Sequence, residues 1–349
     1  MNIIFVWTGL CGYMGACWRE LSAQDNVSLK VFVELRRSVV DVAFNAEEEL
    51  RDLDAKVFHE AEEWNLSQLR QEVLEYAPDA IFLVGWRRRL PRWFATEPKF
   101  ASITKIMILD MPFQWSLKKI LAPVILHGYV RNISGVLVNG KSAARYARWL
   151  GFRENKIWSG GIATDLRRFS KDVLRSERCG GFLFVGRYAK EKGLPVLMEA
   201  YRKYSAKVEH PWKLNCVGKG PFGPDGTPGV NDLGFVSPKE MGSVFSSHRA
   251  FVLPSLYEPW GVVLVEAAAA GLPIICTEAC GARHEVVREN GIVVKTGDAD
   301  SLASAMVKIH QMNKNERQEM GDKGRLLAEP YSCNVWSQRI IKIVKAVTA

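Results

Sequence analysis

Residues 250–277, AFVLPSLYEPWGVVLVEAAAAGLPIICT, constrain the fold of this chain more than any other stretch. Ala250–Leu253 is a short apolar run typical of a buried strand, and residues 254–260 have the composition of a loop. Residues 262–270 are strong helix formers, and residues 273–277 resume as a strand after a glycine. The order strand, loop, helix, strand is typical of a parallel α/β sheet.

The loop of this stretch suits a ligand that carries both diols and phosphates. In a doubly wound sheet, such a loop opens into the ligand crevice, and the next helix points its free N–H groups there. Glu258 lies in the loop and Glu266 within the helix, and a carboxylate accepts two hydrogen bonds from a vicinal diol. Alternatively, Glu258 complements the helix dipole and Glu266 is a solvated helix position. The spacing alone leaves both readings open.

Residues 258–275, EPWGVVLVEAAAAGLPII, resemble the E-x7-E signature of retaining glycosyltransferase family 4, whose members have the GT-B fold. The resemblance implies that Glu258 lies against the donor sugar hydroxyls and that Glu266 holds the ribose diol of the nucleotide. It also implies that the backbone amides of Gly261 and Val262 face the donor diphosphate.

Two cations frame a loop that follows the predicted strand at residues 181–185. Arg187 offers a planar fork and Lys192 a point charge, so together they could clamp a diphosphate. The alternative is a basic surface loop. The segment GRYAKEKG resembles the family's G-R-x-x-x-x-K-G motif, which implies that both cations neutralise the donor phosphates.

Further motifs follow in the order that the family has them. Gly218 begins a GKGP turn similar to the family's G-x-G-P, and residues 232–236 resemble its L-G-x-V segment beside the nucleobase. The resemblance therefore adds Phe235 and Val236 to the donor-binding candidates. Residues 156–169 are similar to the interdomain stretch, although Ala163 stands where aspartate is common.

The chain opens with a predicted strand, Asn2–Thr8, and a glycine-rich loop. Gly9, Gly12 and Gly15 have the spacing G-x-x-G-x-x-G, which differs from the dinucleotide fingerprint and gives little support to a nicotinamide cofactor. A loop of this kind lets a ligand approach the backbone, so Gly12 is a donor-binding candidate. The alternative is a tight strand-to-helix turn.

Asp110 follows a predicted strand at residues 105–109, and acids at such strand ends face the crevice. Many family 4 members carry a histidine at the comparable place, so this chain departs from the commonest pattern. Asp110 either orients the acceptor hydroxyl and accepts its proton, or fixes a turn.

The length of 349 residues favours two domains. We expect an acceptor-binding domain at residues 1–160, a nucleotide-sugar-binding domain at 161–334 and a last helix at 335–349 that crosses back, with a linker around 160–178. No apolar run approaches the roughly 20 residues of a membrane span.

We expect no metal ion and no cofactor. Asp52 and Asp54 form one D-x-D pair on a predicted helix at residues 47–63, and Asp298 and Asp300 form another before a predicted helix. A solvated helix face and a helix N-cap are the respective interpretations. Seven cysteines without a C-x-x-C pair fit a reducing cytoplasm.

The net charge of +9 is compatible with nucleic acid, an anionic membrane or an anionic substrate. Basic residues of the first half lie among large aromatic ones: Arg36, Arg37, Arg87, Arg88, Arg89, Arg92, Lys118 and Lys119 among Trp86, Trp93, Phe94 and Trp115. This pattern suits an interfacial belt at the inner face of a membrane.

The sequence therefore predicts an α/β protein with the GT-B fold, two Rossmann-like doubly wound domains facing across a cleft. The expected activity moves a hexose from a UDP- or GDP-linked sugar to a hydroxyl of a lipid-linked or cell-surface glycan, with retention and without a metal. Asp110, Arg187, Lys192 and Glu258 are the catalytic candidates. Alternatives are a GT-B epimerase or phosphorylase, and a basic nucleic-acid-binding protein, which the lack of a recognisable binding motif disfavours.

Overall fold

The structure is a computed structural model that describes residues 1–10, 12–35, 46–60, 62–111, 116–170 and 178–348. It divides into two compact units, Met1–Thr164 with Cys333–Ala349, and Asp165–Ser332. Each unit contains one parallel sheet with helical crossovers, which confirms the predicted fold class of two Rossmann-like α/β domains. The predicted linker includes residues 171–177, and these, like Arg36, Arg37 and Trp115, lie outside the described residues.

The first unit is built on a sheet with the strand order β3-β2-β1-β4-β5-β6-β7. Its strands are β1 (Asn2–Thr8), β2 (Ser28–Leu35), β3 (Asp54–His59), β4 (Ala80–Val84), β5 (Thr104–Leu109), β6 (Gly135–Val138) and β7 (Ile157–Ser159). Alternate residues of β1 enter two cores, Ile3 and Phe5 on one face and Ile4 and Val6 on the other. Burial on both faces explains the continuous apolar run in the sequence.

Eight described helices precede the second unit. They are α1 (Met14–Ser22), α2 (Ala46–Glu49), α3 (Leu66–Tyr76), α4 (Arg89–Thr96), α5 (Leu117–Ile120), α6 (Ala122–Ile125), α7 (His127–Val130) and α8 (Gly140–Trp149). Trp86 and Phe94 are buried in the core of this unit. They are therefore packing residues, and the interfacial role that the sequence suggested for these two is wrong.

The helix predicted at residues 47–63 is wrong beyond its first residues, because α2 ends at Glu49 and the segment then contains the edge strand β3. Asp52 lies in a turn with φ 63°, and Asp54 is the first residue of the strand. Lys30 of the neighbouring β2 pairs with Asp54 at 3.2 Å. Charged side chains on an edge strand discourage pairing with other chains, and in sequence they resemble a solvated helix face.

The second unit has a sheet with the strand order β10-β9-β8-β11-β12-β13. Its strands are β8 (Phe182–Val185), β9 (Leu214–Val217), β10 (Val230–Asp232), β11 (Ala250–Leu253), β12 (Ile274–Thr277) and β13 (Gly291–Val294). Its described helices are α9 (Leu194–Ser205), α10 (Met241–Ser247), α11 (Val262–Ala269), α12 (Arg283–Val286), α13 (Ala299–Gln311) and α14 (Lys314–Ala328). All described pairings in this sheet are parallel, so the carboxyl ends of its strands share one edge.

Residues 237–240, SPKE, predict a capping box at the start of α10, but the observed helix begins after them. The Ser237 hydroxyl donates to the Glu240 carboxylate at 2.8 Å, so these residues form a turn and the helix begins at Met241. An added Cβ at Gly242 would lie 1.9 Å from the Arg168 carbonyl oxygen. The backbone at Gly242 is therefore in contact with Arg168, directly beside the residue at which α10 begins.

The last helix, α15 (Cys333–Thr348), belongs to the first unit, although the chain reaches it from the second. It packs against α1, and Trp336 is fully buried beside Phe5 with their ring centres 5.6 Å apart. The Trp336 indole N–H donates to the Gly161 carbonyl oxygen at 3.1 Å. Among the described helices, none combines the length and the apolar composition that a membrane span requires.

Candidate active site

The loops after β8 and β11 are joined at the carboxyl edge of the second sheet. The backbone N–H groups of Leu256 and Tyr257 both donate to the Glu191 carbonyl oxygen, at 2.8 and 3.2 Å. Gly193 has φ 72°, and an added Cβ there would lie 2.2 Å from the Pro254 carbonyl oxygen. Only glycine allows this approach, so the two loops are held as one body.

This joining brings Lys192 and Glu258 into contact. The Lys192 ammonium donates to the Glu258 carboxylate, and their side chains are only 16% and 9% exposed. Two residues that the sequence nominated 66 positions apart are therefore direct partners. Removal of one partner would leave the other as an unpaired, largely buried charge, which is costly. Each group therefore fixes the position of the other.

Glu258 is also held through its backbone. Its N–H donates to the Ala279 carbonyl oxygen at 3.3 Å, and its carbonyl oxygen accepts from the Gly281 N–H at 2.9 Å. These bonds form a short parallel bridge to Cys280, which is fully buried. No local motif indicates this pairing, because a helix and a strand separate the two loops along the chain.

Arg187 lies on the same loop as Lys192 but is exposed. It pairs with Glu191 at 2.9 Å, and neither side chain is buried. Exposed ion pairs of this kind contribute little to stability. The guanidinium can therefore exchange Glu191 for a stronger anion at small cost.

Helix α11 presents its N-terminus at this edge. Gly261 is its N-cap residue with φ 94°, and no side chain caps the helix. Among the described residues, the N–H groups of Gly261, Val262 and Val263 have no hydrogen-bond acceptor. This helix start can thus bind an anion. Glu266 is half-buried farther along α11.

Segments after β9 and β10 complete the edge. An added Cβ at Gly218 would lie 2.0 Å from the Gly186 carbonyl oxygen, so the β9 loop touches the β8 loop. The Tyr188 hydroxyl donates to Asp232 at 2.6 Å, and the Gly234 N–H donates to the same carboxylate at 2.8 Å. Burial and the Asp232 charge raise the pKa of Tyr188, so its hydroxyl stays protonated as a donor.

The segment that follows Asp232 carries the two predicted nucleobase contacts. Phe235 is 40% exposed, with the Lys219 ammonium 5.9 Å from the centre of its ring, and Val236 is half-buried. The sequence did not single out Tyr188 or Asp232, since their contact joins residues 44 positions apart.

In the first unit, Gly12 lies half-buried in the turn before α1. The nearby Gly9 N–H donates to the Glu34 carbonyl oxygen at 3.0 Å. The fully buried Glu34 carboxylate accepts from the Leu90 N–H at 2.8 Å, at the start of α4. Glu34 is a charged residue within the otherwise apolar second half of β2, and that position could have identified it from the sequence. Our sequence analysis missed it.

Asp110 directly follows β5 in the first unit. Its side chain has access to solvent, yet desolvation by surrounding protein atoms raises the pKa of the carboxyl group. An elevated pKa makes a carboxylate a stronger base near neutral pH. Pro112, which the sequence placed in the following turn, lies outside the described residues.

The residues considered for metal binding have other contacts. Asp298 accepts hydrogen bonds from the N–H groups of Asp300 and Ser301, both at 3.0 Å, as the N-cap of α13. Nowhere in the described chain do three or more His, Cys, Asp or Glu side chains form a group that could hold a metal ion.

Part of the second unit resembles known glycosyltransferases in sequence. Residues 180–312 match the family model described as Glycosyl transferases group 1. A 138-residue segment is 34% identical to the uncharacterized glycosyltransferase MJ1607 of Methanocaldococcus jannaschii, over 35% of this chain and 33% of that protein. O-antigen chain mannosyltransferase B of Escherichia coli is 26% identical over 36% of this chain and 35% of its own. The matches thus span about a third of these curated relatives.

Solved structures resemble the chain over 99% of its length. Anabaena Alr3699/HepE in complex with UDP has a TM-score of 0.76 at 17% identity, with all of that chain covered. A glycosyltransferase from Rickettsia africae has a TM-score of 0.76 at 15% identity, with 98% of that chain covered. The chain therefore has the fold of the GT-B glycosyltransferases, and residues 180–312 in its second unit resemble a group 1 glycosyltransferase domain.

Proposed function

We propose that this protein is a retaining glycosyltransferase of family 4 that transfers a sugar from a nucleoside diphosphate sugar to an acceptor hydroxyl without a metal ion. One observation carries the proposal. Arg187, Lys192 and the uncapped start of α11 share the carboxyl edge of one sheet, with Glu258 bound to Lys192.

The chemistry follows from where charge develops. Departure of the nucleoside diphosphate builds negative charge on the β-phosphate, and fixed cations and N–H groups stabilise that charge more in the transition state than in the ground state. Lys192 and the amides of Gly261 and Val262 supply the fixed part. Arg187 supplies a mobile guanidinium that closes on the phosphates after leaving Glu191.

The two glutamates distinguish the ends of the donor. Glu258, held in place by Lys192, accepts hydrogen bonds from the sugar hydroxyls, and Glu266 holds the ribose diol. Phe235 and Val236 lie beside the base. The Anabaena neighbour was solved with UDP and glucose, which favours UDP over GDP as the donor nucleotide here.

Asp110 serves the acceptor in this proposal. Its raised pKa suits a group that orients the acceptor hydroxyl and accepts its proton. The E. coli relative is named as an O-antigen chain mannosyltransferase, which supports a glycan acceptor in polysaccharide biosynthesis. A phosphorylase would instead use a free sugar phosphate as the glycosyl source, and an epimerase would transfer no sugar, so product analysis with a nucleoside diphosphate sugar separates these rivals.

Replacement of Glu266 by glutamine should weaken nucleotide binding by about tenfold, because a neutral amide is a poorer acceptor for the ribose diol. Isothermal titration calorimetry with UDP and with GDP measures the effect and identifies the base. Glu319→Gln, an exposed change of the same kind on α14, is the control. An unchanged Kd in Glu266→Gln would remove this residue from the ribose.

We also propose that the protein contacts a membrane through helices α5 and α6. Leu117, Leu121, Val124 and Ile125 are 78%, 52%, 77% and 64% exposed, and Trp149 is 41% exposed beside them. The Trp149 indole N–H donates to the Lys119 carbonyl oxygen at 3.0 Å, which holds the ring against α5. An exposed apolar cluster of this kind in a basic protein suits an anionic lipid surface and a lipid-linked acceptor.

Leu117→Asp combined with Val124→Asp should abolish flotation with anionic liposomes, because the pair places charge in the proposed lipid contact. Leu326→Asp is a matched control, since Leu326 is 76% exposed on the second unit. Equal flotation of the double variant and the wild type would contradict the assignment of this surface.

A further inference from the structure

A basic cavity lies in the second unit, away from the loops of the candidate active site. It has a volume of about 530 Å³ and is bordered by residues that precede β8, β9, β11 and β12 and by the start of α14. Because all described pairings in this sheet are parallel, these amino ends lie at the edge opposite the candidate active site. A cavity of this size is typical of a small-molecule site.

The cavity wall is strongly cationic. Arg178, Arg249, Lys314, Arg317 and Arg325 line it, and no carboxylate among the described residues does. Arg325 pairs with Asp322 at 2.8 Å. Within the described ranges, however, Arg249, Lys314 and Arg317 form no ion pair. The Glu316 carboxylate acts on Arg317 only from a distance, and its charge is too little to offset the three cations.

Two of these guanidinium groups lie near the same aromatic ring. Arg249 and Arg317 each lie 5.1 Å from the ring centre of Trp212, and the His310 ring is 4.8 Å from that centre. Desolvation lowers the pKa of Arg317, and the charge of Arg249 lowers it further. Desolvation and the two arginines likewise lower the pKa of His310. An anion between these groups would relieve the repulsion.

Backbone carbonyls hold the cations in place without neutralising them. Arg178 donates to the carbonyl oxygens of His248 and Ala270, at 3.1 and 2.6 Å. The Arg249 Nε donates to the Arg178 carbonyl oxygen at 3.0 Å, and Arg317 donates to that of Met312. Donors that are ordered in advance lose little conformational entropy when they bind a ligand.

We propose that this cavity binds a small organic phosphate, with Arg249, Lys314 and Arg317 contacting its phosphate group. Guanidinium forks match phosphate oxygens bidentately, and the lysine adds a point charge. The volume exceeds that of a phosphate ion, so it leaves room for the organic part of the ligand. The site is separate from the donor site and does not depend on the proposed transferase activity.

Calorimetry with pyrophosphate on the full chain tests this site in the presence of saturating UDP. The double variant Lys314→Gln with Arg317→Gln should bind pyrophosphate about tenfold more weakly or worse, because two charged hydrogen-bond donors are lost. The control, Lys308→Gln with Lys342→Gln, removes the same net charge at exposed positions elsewhere and should bind like the wild type.

A second arm uses vesicles that contain phosphatidic acid, since the phosphate could belong to a lipid headgroup. Pyrophosphate binding that only the cavity variant loses supports a soluble ligand, and vesicle binding that only the cavity variant loses supports the headgroup. The proposal is overturned if neither probe binds or if the cavity variant matches the wild type. It is also overturned if the control loses as much as the cavity variant, or if single-stranded nucleic acid binds there more tightly than either probe.

Discussion

Lys192→Ala is expected to lower kcat for sugar transfer by about a hundredfold or more, with little change in the KM for the acceptor. The ammonium stabilises charge that develops on the departing diphosphate, and loss of one such fixed group costs about 10²- to 10³-fold in other enzymes. Steady-state kinetics with a nucleoside diphosphate sugar measures both constants.

The neighbouring Lys190→Ala is the matched control for this variant, because Lys190 is exposed on the same short turn. Lys192→Ala also leaves Glu258 as an unpaired, nearly buried carboxylate, which lowers the stability of the folded protein. The double variant Lys192→Met with Glu258→Gln removes both charges and shows whether the protein stays folded without the pair. A rise in KM at unchanged kcat would refute the role of Lys192.

Trp336→Ala should destabilise the first unit by about 3–5 kcal/mol, the usual cost of replacing a fully buried tryptophan by alanine. The change removes the packing against Phe5 and leaves the Gly161 carbonyl oxygen without its indole donor. Urea denaturation followed by far-ultraviolet circular dichroism measures the loss.

Asn334→Ala, an exposed change on the same helix, should leave the denaturation midpoint almost unchanged. If Trp336→Ala and Asn334→Ala had the same midpoint, α15 would contribute little to the first core. Amide hydrogen exchange on α1 gives an independent readout, since α1 packs against α15.

Two strands could be predicted to the residue. Asn2–Thr8 and Ala250–Leu253 are observed with the predicted bounds. Apart from Asn2 and Thr8 their residues are apolar and buried, so the local sequence contains enough information to place them.

Two local predictions failed because tertiary contacts decide those segments. The charged segment that contains Asp54–His59 is an edge strand, and its pairing with Ser28–Leu35 has no local signature. Residues 237–240 have the letters of a capping box, but Glu240 bonds the Ser237 side chain and the helix starts later. Helix Lys314–Ala328 was not predicted at all.

The candidate site shows the same limit. The resemblance to family 4 identified Lys192, Glu258 and Glu266 as site residues. It did not predict that Lys192 and Glu258 form an ion pair with each other. The contacts that set this geometry, such as the bonds from Leu256 and Tyr257 to Glu191, join segments far apart in sequence. The basic cavity also depends on such contacts and therefore has no local sequence signal, whereas Glu34 has one in its position within an apolar strand.

Membership of the last helix in the first unit imposes an order on biosynthesis. Residues 1–164 are translated before any of Asp165–Ser332, so Phe5 and Trp18 have no contact with Trp336 until translation is nearly complete. During that interval an apolar face of the nascent chain is uncovered and open to chaperones. The inserted second unit, by contrast, has its full sequence before Cys333 is added, and it can close its own sheet first.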